Sequence, residues 1–193
     1  MRRIYEPTAY GPLPDARNYW RETASAPACP PLQGDARAEF AIIGGGFTGL
    51  MAALQLAEAG ADVALLEAEQ PGWGASGRNG GFCCLGGSAL EGDDLIRRHG
   101  AEEAQTYFDA ERGAVELVSE TLERLDIEAD THSRGETLLA HRPRDMDALR
   151  AHADKAAQRH GVTPELIEPE ALADRGMSSP AFHGGVTLPI GVA

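Results

Sequence analysis

The sequence is poor in positive charge, aromatic rings and cysteine, and each shortage excludes something. Lys and Arg number 17 against 30 Asp and Glu, a formal charge of −13. So acidic a chain repels phosphate backbones and anionic bilayers, which argues against a nucleic-acid partner. Aromatic residues make up only 6% of the chain, too little for a base-stacking surface. Three cysteines (Cys29, Cys83 and Cys84) are few and odd in number, so no disulfide framework is expected and a reducing cytoplasm is the simpler home. The start of the chain lacks an export pattern: Met1-Arg2-Arg3 runs into Ile4-Tyr5-Glu6-Pro7 with no apolar region. Neither an H-E-x-x-H nor a G-x-S-x-G pattern occurs. The six histidines (His99, His132, His141, His152, His160 and His183) show no metal-ligand spacing, so no metal is expected.

One stretch imitates a membrane span. Phe40 to Ala57 carries no charge over 18 residues, and Gly45 and Gly49 stand in GxxxG spacing. Its length is at the lower limit for crossing a bilayer, and Gly44 to Gly46 would break a helix near its start. No membrane span is therefore expected.

What is present suits a packed core. Hydrophobic residues are 42% and charged residues 24% of 193, which allows one domain, or two small ones. Residues 1–36 read as an extended arm, since six of the twelve prolines precede residue 32. Tyr5, Tyr10, Tyr19 and Trp20 read as anchors laying it on a body. Ala38–Ile43 reads as a buried parallel strand, Phe47–Ala59 as a helix stopped by Gly60, and Asp62–Glu67 as a second strand. Strand, helix, strand at this length is a βαβ unit. Residues 71–87 form a glycine-dense loop of the kind that serves a site. Further on, a helix is expected over 100–125, a strand over Glu136–His141, a helix over Asp145–His160 and a strand over Phe182–Leu188, with Leu166–Asp174 ambiguous. His152 and His160 share one expected helix and read as solvated. The acidic run Glu91 to Asp94 reads as a solvated helix face.

Gly44-Gly45-Gly46-Phe47-Thr48-Gly49 fits G-x-G-x-x-G, directly after a strand and opening a helix. Gly44 allows the tight turn, Gly46 lets a pyrophosphate approach the backbone, and Gly49 lets helix and strand pack closely. The bare N–H groups and the dipole of the helix start attract phosphate. Glu67 ends the second strand, where an acidic residue accepts hydrogen bonds from the adenosine ribose and repels a 2′-phosphate. These features predict a dinucleotide site and leave NAD and FAD both open. The following loop, Gly72-Trp73-Gly74-Ala75-Ser76-Gly77-Arg78-Asn79-Gly80-Gly81, is more apparatus than a nicotinamide dinucleotide needs, and suits a longer cofactor. Cys83 and Cys84 could lie near a flavin, but read more plainly as small apolar residues under the loop.

Three stretches together resemble the FAD-dependent oxidoreductases of the D-amino-acid oxidase type: Ile42 to Leu50, Val63 to Ala68, and Gly72 to Gly81. Within that superfamily the loop is most similar to that of the gamma-glutamylputrescine oxidoreductases, as is the proline-rich arm with Tyr19-Trp20. The resemblance is strong over about residues 17–87 and weaker beyond 100. It implies an α/β fold, with a Rossmann-like FAD-binding segment over 37–99 and part of an α+β substrate domain over 100–193. It implies FAD as cofactor and oxidation of a C–N bond in a small-molecule amine or amino acid. In that chemistry a hydride passes to flavin N5, the imine is hydrolysed, and oxygen commonly reoxidises the flavin. Carried over by position, Gly44, Gly45, Gly46, Phe47, Thr48 and Gly49 would hold the pyrophosphate, and Glu67 with Ala68 the ribose. Ala75, Ser76, Arg78, Asn79, Gly80 and Gly81 would line the cofactor. No catalytic residue is assigned. Family members are much longer, so the chain reads as an amino-terminal portion of such an enzyme. A non-catalytic fragment with weak or no FAD binding, and an NAD-dependent dehydrogenase, are the alternatives. Substrate identity, electron acceptor and oligomeric state stay open.

Overall fold

The computed structural model describes Glu6, residues 18–24 and residues 27–192. It divides into two compact units, Met1–Gly80 and Gly81–Ala193. Tyr5 and Tyr10, expected as anchors of the arm, lie outside the described residues.

The first unit is built on the expected βαβ motif. Strand β1 (Phe40–Ile43), helix α2 (Phe47–Glu58) and strand β2 (Val63–Leu66) follow a short helix α1 (Tyr19–Thr23). β1 and β2 run parallel, from Phe40 opposite Val63 to Ile43 opposite Leu66. Two further bonds, Phe40 N–H to the Asp62 carbonyl (3.0 Å) and Gly44 N–H to the Leu66 carbonyl (2.8 Å), extend the ladder at both ends. α2 ends where Gly60 takes a φ of 86°, and Ala61 N–H returns to the Leu56 carbonyl (3.0 Å). The charge-free stretch is thus split between a strand, a turn and a helix. Among the described residues no helix is long and apolar enough to cross a membrane.

α1 departs from the expected extended arm. Asn18 caps it, its side-chain oxygen accepting from the backbone of Trp20 (3.0 Å) and Arg21 (3.4 Å). A side-chain cap that satisfies two amide donors is enough to curl one turn locally.

The second unit is an antiparallel sheet with helices. Its elements are β3 (Cys83–Cys84), α3 (Gly92–His99), α4 (Ala101–Arg124), β4 (Arg134–Leu139), α5 (Asp145–His160), β5 (Glu165–Ile167) and β6 (Gly185–Val192). β6 is the hub, pairing antiparallel with β3, β4 and β5. Two 3-10 turns, Pro169–Ala171 and Ala173–Arg175, fill most of the ambiguous stretch after β5. Ala153 and Ala156 of α5 pack on Val186 and Leu188 of β6. A second cluster joins Leu95 of α3 to Ala104 and Phe108 of α4. The three cysteines are free, and burial raises the thiol pKa of both Cys83 and Cys84.

Two expectations change here. The helical region begins at Gly92, with Gly100 (φ 93°) breaking it into α3 and α4. Asp93 lies on an exposed helix face, as expected, and there pairs with Lys155 and Arg159 of α5, each at 2.5 Å. His160, also read as solvated, is buried: its ring meets Phe108 edge-on with centroids 5.7 Å apart, and its carbonyl accepts from Arg112 (3.0 Å).

Burial lowers the His160 pKa; Arg159 and Arg112 add to this, while Glu111 and a backbone bond at Phe108 oppose it. A depressed histidine pKa means that the unfolded chain binds the proton more readily. The His160 contribution is therefore full above about pH 6.5, the ordinary histidine value, and is lost as pH falls towards the depressed folded value. Melting temperature followed from neutral pH to mildly acidic pH should drop more steeply in the wild type than in His160→Gln. Parallel curves would contradict this.

Candidate cofactor site

The site is assembled at the carboxyl ends of two parallel strands, where α2 begins. Gly44 turns the chain with a φ of 104°, a conformation that side chains resist. Gly49 sits in the first turn of α2, and a Cβ there would run into the Gly44 carbonyl oxygen. Helix and turn can therefore lie this close only with glycine at 49. A Cβ on Gly46 would stand 2.9 Å from the Ser76 hydroxyl, so a side chain there would displace that hydroxyl from the helix start.

Gly45 draws three segments together. Its N–H donates to Glu67 Oε2 (2.5 Å) and its carbonyl accepts from Gly72 N–H (2.8 Å). Next to it, the Phe47 N–H donates to Ser76 Oγ (3.0 Å). The Gly-rich turn, the end of β2 and the loop from Gly72 are thereby fixed to one another. Gly46, the N-cap residue of α2, has no side chain to cap the helix, and the first turn carries no acidic residue. No acidic side chain of the helix itself offsets its dipole, which favours an anionic group at this end.

The Glu67 carboxylate also accepts from Glu69 N–H (3.1 Å). The Gly45 bond, and then the Glu69 bond, hold its pKa below the ordinary carboxylate value. An ionised carboxylate offers about four lone-pair directions, so acceptor capacity remains for the hydroxyls of a ribose. Ala68 follows it, exposed.

The loop from Gly72 is more ordered than its glycine content suggests. Ala75–Gly77 is a 3-10 turn. Asn79 Nδ2 donates back to the Ser76 carbonyl (2.8 Å). Arg78, which sequence reasoning left between cofactor and solvent, turns onto Trp73: its Nε donates to the Trp73 carbonyl (2.8 Å) and its guanidinium lies 4.9 Å from the ring centroid. Its Nη2 is buried with no hydrogen-bond partner among the described residues. Thr48 is exposed in the first turn of α2, and Gly80 ends the first unit. Gly81, with a φ of 81°, opens the second.

Asn18 Nδ2 donates to the Gly77 carbonyl (2.6 Å) and Trp20 Nε1 to the Asn79 carbonyl (2.8 Å). Sequence reasoning read Trp20 as an anchor and as part of the resemblance, without its partner, and missed Asn18, which carried no signal.

The residues present fit an adenine dinucleotide. Gly44 takes a φ that side chains resist, Gly49 stands where a side chain would collide, the first turn of α2 carries no acidic residue, and an ionised carboxylate lies beside the turn. Comparison with known proteins then identifies the family. The sequence pattern described as FAD dependent oxidoreductase (DAO) matches residues 39–193. A probable oxidoreductase OrdL of Haemophilus influenzae is 32% identical over 158 residues, 81% of this chain and 36% of that protein. Gamma-glutamylputrescine oxidoreductase of Escherichia coli is 30% identical over 145 residues, 75% of this chain and 33% of that protein. Among solved structures, L-amino acid deaminase from Proteus myxofaciens superposes with a TM-score of 0.64 at 18% identity, over 88% of this chain and 36% of that one. Glycine oxidase from Bacillus cereus does so with a TM-score of 0.55 at 22% identity, over 81% of this chain and 39% of that one. The chain spans little more than a third of the length of the relatives it matches. These findings place the chain in the DAO family of FAD-dependent oxidoreductases.

Proposed function

We propose that Gly44 to Gly49, Glu67 with Ala68, and Ala75, Ser76 and Arg78 to Gly81 hold FAD for oxidation of a C–N bond. The substrate class is a small amine or amino acid, and gamma-glutamylputrescine is the first to test. The observation that carries this reading is the junction at Gly45, whose N–H meets Glu67 and whose carbonyl meets the loop. The amides of Gly46 and Thr48, beside those held by Glu67 and Ser76, would meet the pyrophosphate, and Glu67 the ribose. In this reading residues 1–36 are an arm, 37–99 carry the cofactor contacts, and 100–193 belong to the substrate domain. The reducing cytoplasm accords with three free cysteines. Bound FAD would take a hydride from the carbon next to nitrogen, leaving an imine for hydrolysis.

A second reading, FAD binding without turnover, is favoured by the apolar surface that the βαβ motif leaves uncovered. Ile43 is 88% and Phe47 64% exposed, on either side of the glycine turn. One experiment separates the readings. The purified chain is examined by visible spectroscopy after loading with FAD, then mixed anaerobically with gamma-glutamylputrescine. A flavin band that bleaches supports oxidation; a band that persists supports binding alone. A colourless protein after loading contradicts both.

A further inference from the structure

The short helix α1 and its cap residue Asn18 touch the loop that follows β2. Two of its contacts are donations to loop carbonyls: Asn18 Nδ2 to Gly77 (2.6 Å) and Trp20 Nε1 to Asn79 (2.8 Å). A third is the Arg21 guanidinium, 4.6 Å from the Trp73 centroid. Arg78 stacks on the same ring at 4.9 Å, so Trp73 carries two guanidiniums. The two bonded carbonyls bracket the loop just past Ser76, whose hydroxyl takes the Phe47 N–H at the start of α2. Asn18 has two separable tasks. Its Oδ1 caps α1, and its Nδ2 holds Gly77.

We propose that Asn18 and Trp20 are positioning residues, a clip that fixes residues 72–80 in the shape that receives FAD. The clip rests on the reading of that loop as part of the FAD site. Its mechanical half stands independently. A glycine-rich loop has many conformations to lose, and each donor that fixes a carbonyl removes part of that cost before the ligand arrives. Without the clip, binding must order the loop, and affinity falls by the fraction of chains in the competent shape.

Amide hydrogen exchange of the full 193-residue chain tests the clip, without FAD and with it, alongside FAD titration by flavin fluorescence. Trp20→Phe keeps an aromatic ring and removes the donor. Asn18→Asp keeps the cap oxygen and removes the donor, whereas Asn18→Ala removes both. Both Trp20→Phe and Asn18→Asp should speed exchange within 72–80, leave α2 and the second unit unchanged, and weaken FAD roughly 2- to 10-fold. Unchanged loop exchange in both variants overturns the clip. So does Asn18→Asp matching the wild type while Asn18→Ala does not, because the cap alone would then matter. Faster exchange with unaltered FAD affinity also overturns it. A wild type that binds no FAD contradicts the proposed function, and the exchange data without FAD then still show whether the loop is clipped.

Discussion

Glu67→Arg should abolish measurable FAD binding. The carboxylate sits at the end of β2, held ionised by the Gly45 and Glu69 amides. Hydrogen bonds from ribose hydroxyls to a charged acceptor are worth about 1.5–3 kcal/mol each. Losing two raises the dissociation constant by at least about a hundredfold. Arginine also strips the Gly45 N–H of its partner at 2.5 Å, so the turn itself loosens. Glu67→Gln separates the two effects. Its amide oxygen can still take the Gly45 N–H while the charge is gone, and it should weaken FAD by about tenfold. Flavin fluorescence titration reads both variants, with circular dichroism to show that they are folded. A folded Glu67→Arg protein with wild-type affinity would remove Glu67 from the site.

Gly49→Val should be the most damaging single change to the first unit. The new Cβ would run into the Gly44 carbonyl oxygen, and it would stand 3.4 Å from Ile42 Cγ2. The obstructing atom is backbone, so no flexible side chain can yield. α2 must lift away from β1, and overpacking of this kind costs about 1–3 kcal/mol. The same shift opens the Gly44–Gly46 turn, so FAD binding should be lost with it. Gly113→Ala is the control. Gly113 lies within α4 with open space around it, and the exchange to alanine should stabilise that helix by about 0.5–1 kcal/mol. Thermal melts of the two variants should therefore move in opposite directions. A Gly49→Val protein that melts like the wild type and still binds FAD would contradict the packing argument.

Much of the βαβ motif was legible because its signals are local. The apolar run before Gly44, the apolar spacing from Leu50 to Ala57 and the stop at Gly60 each lie within the element that they define. The bounds of α5, Asp145–His160, were legible for the same reason, with Gly161 closing the helix at a φ of 66°. Only the acidic start of α3 was legible, as a helix face at Glu91 to Asp94; its extent was not, because five of its eight residues, Asp93, Asp94, Arg97, Arg98 and His99, are polar and leave little apolar spacing. Their order is nonetheless favourable, acids in the first turn and bases in the last. β6 runs past its expected end at Leu188 because Pro189 is tolerated there. β4 has a register irregularity between Arg134 and Glu136, with Gly135 at a φ of 104° facing the Leu188–Pro189 backbone. Such a compensation lies some fifty residues away in sequence, where no periodicity reaches. The burial of His160 against Phe108 and the hold of Asn18 on Gly77 are likewise long-range contacts.

The candidate site divides in the same way. Its glycines and Glu67 were legible from spacing and context. Their fastening was not, because the Gly72–Gly45 and Ser76–Phe47 bonds depend on how the loop folds back.

The central claim is that the glycine turn and Glu67 form the seat of the ADP half of FAD. Parallel titrations of the chain with FAD and with FMN, which lacks the AMP portion and keeps one phosphate, test it most directly. The account predicts that FAD binds, that FMN binds at least about a hundredfold more weakly, and that ADP competes with FAD. Equal affinity for FAD and FMN, with no competition by ADP, would contradict it.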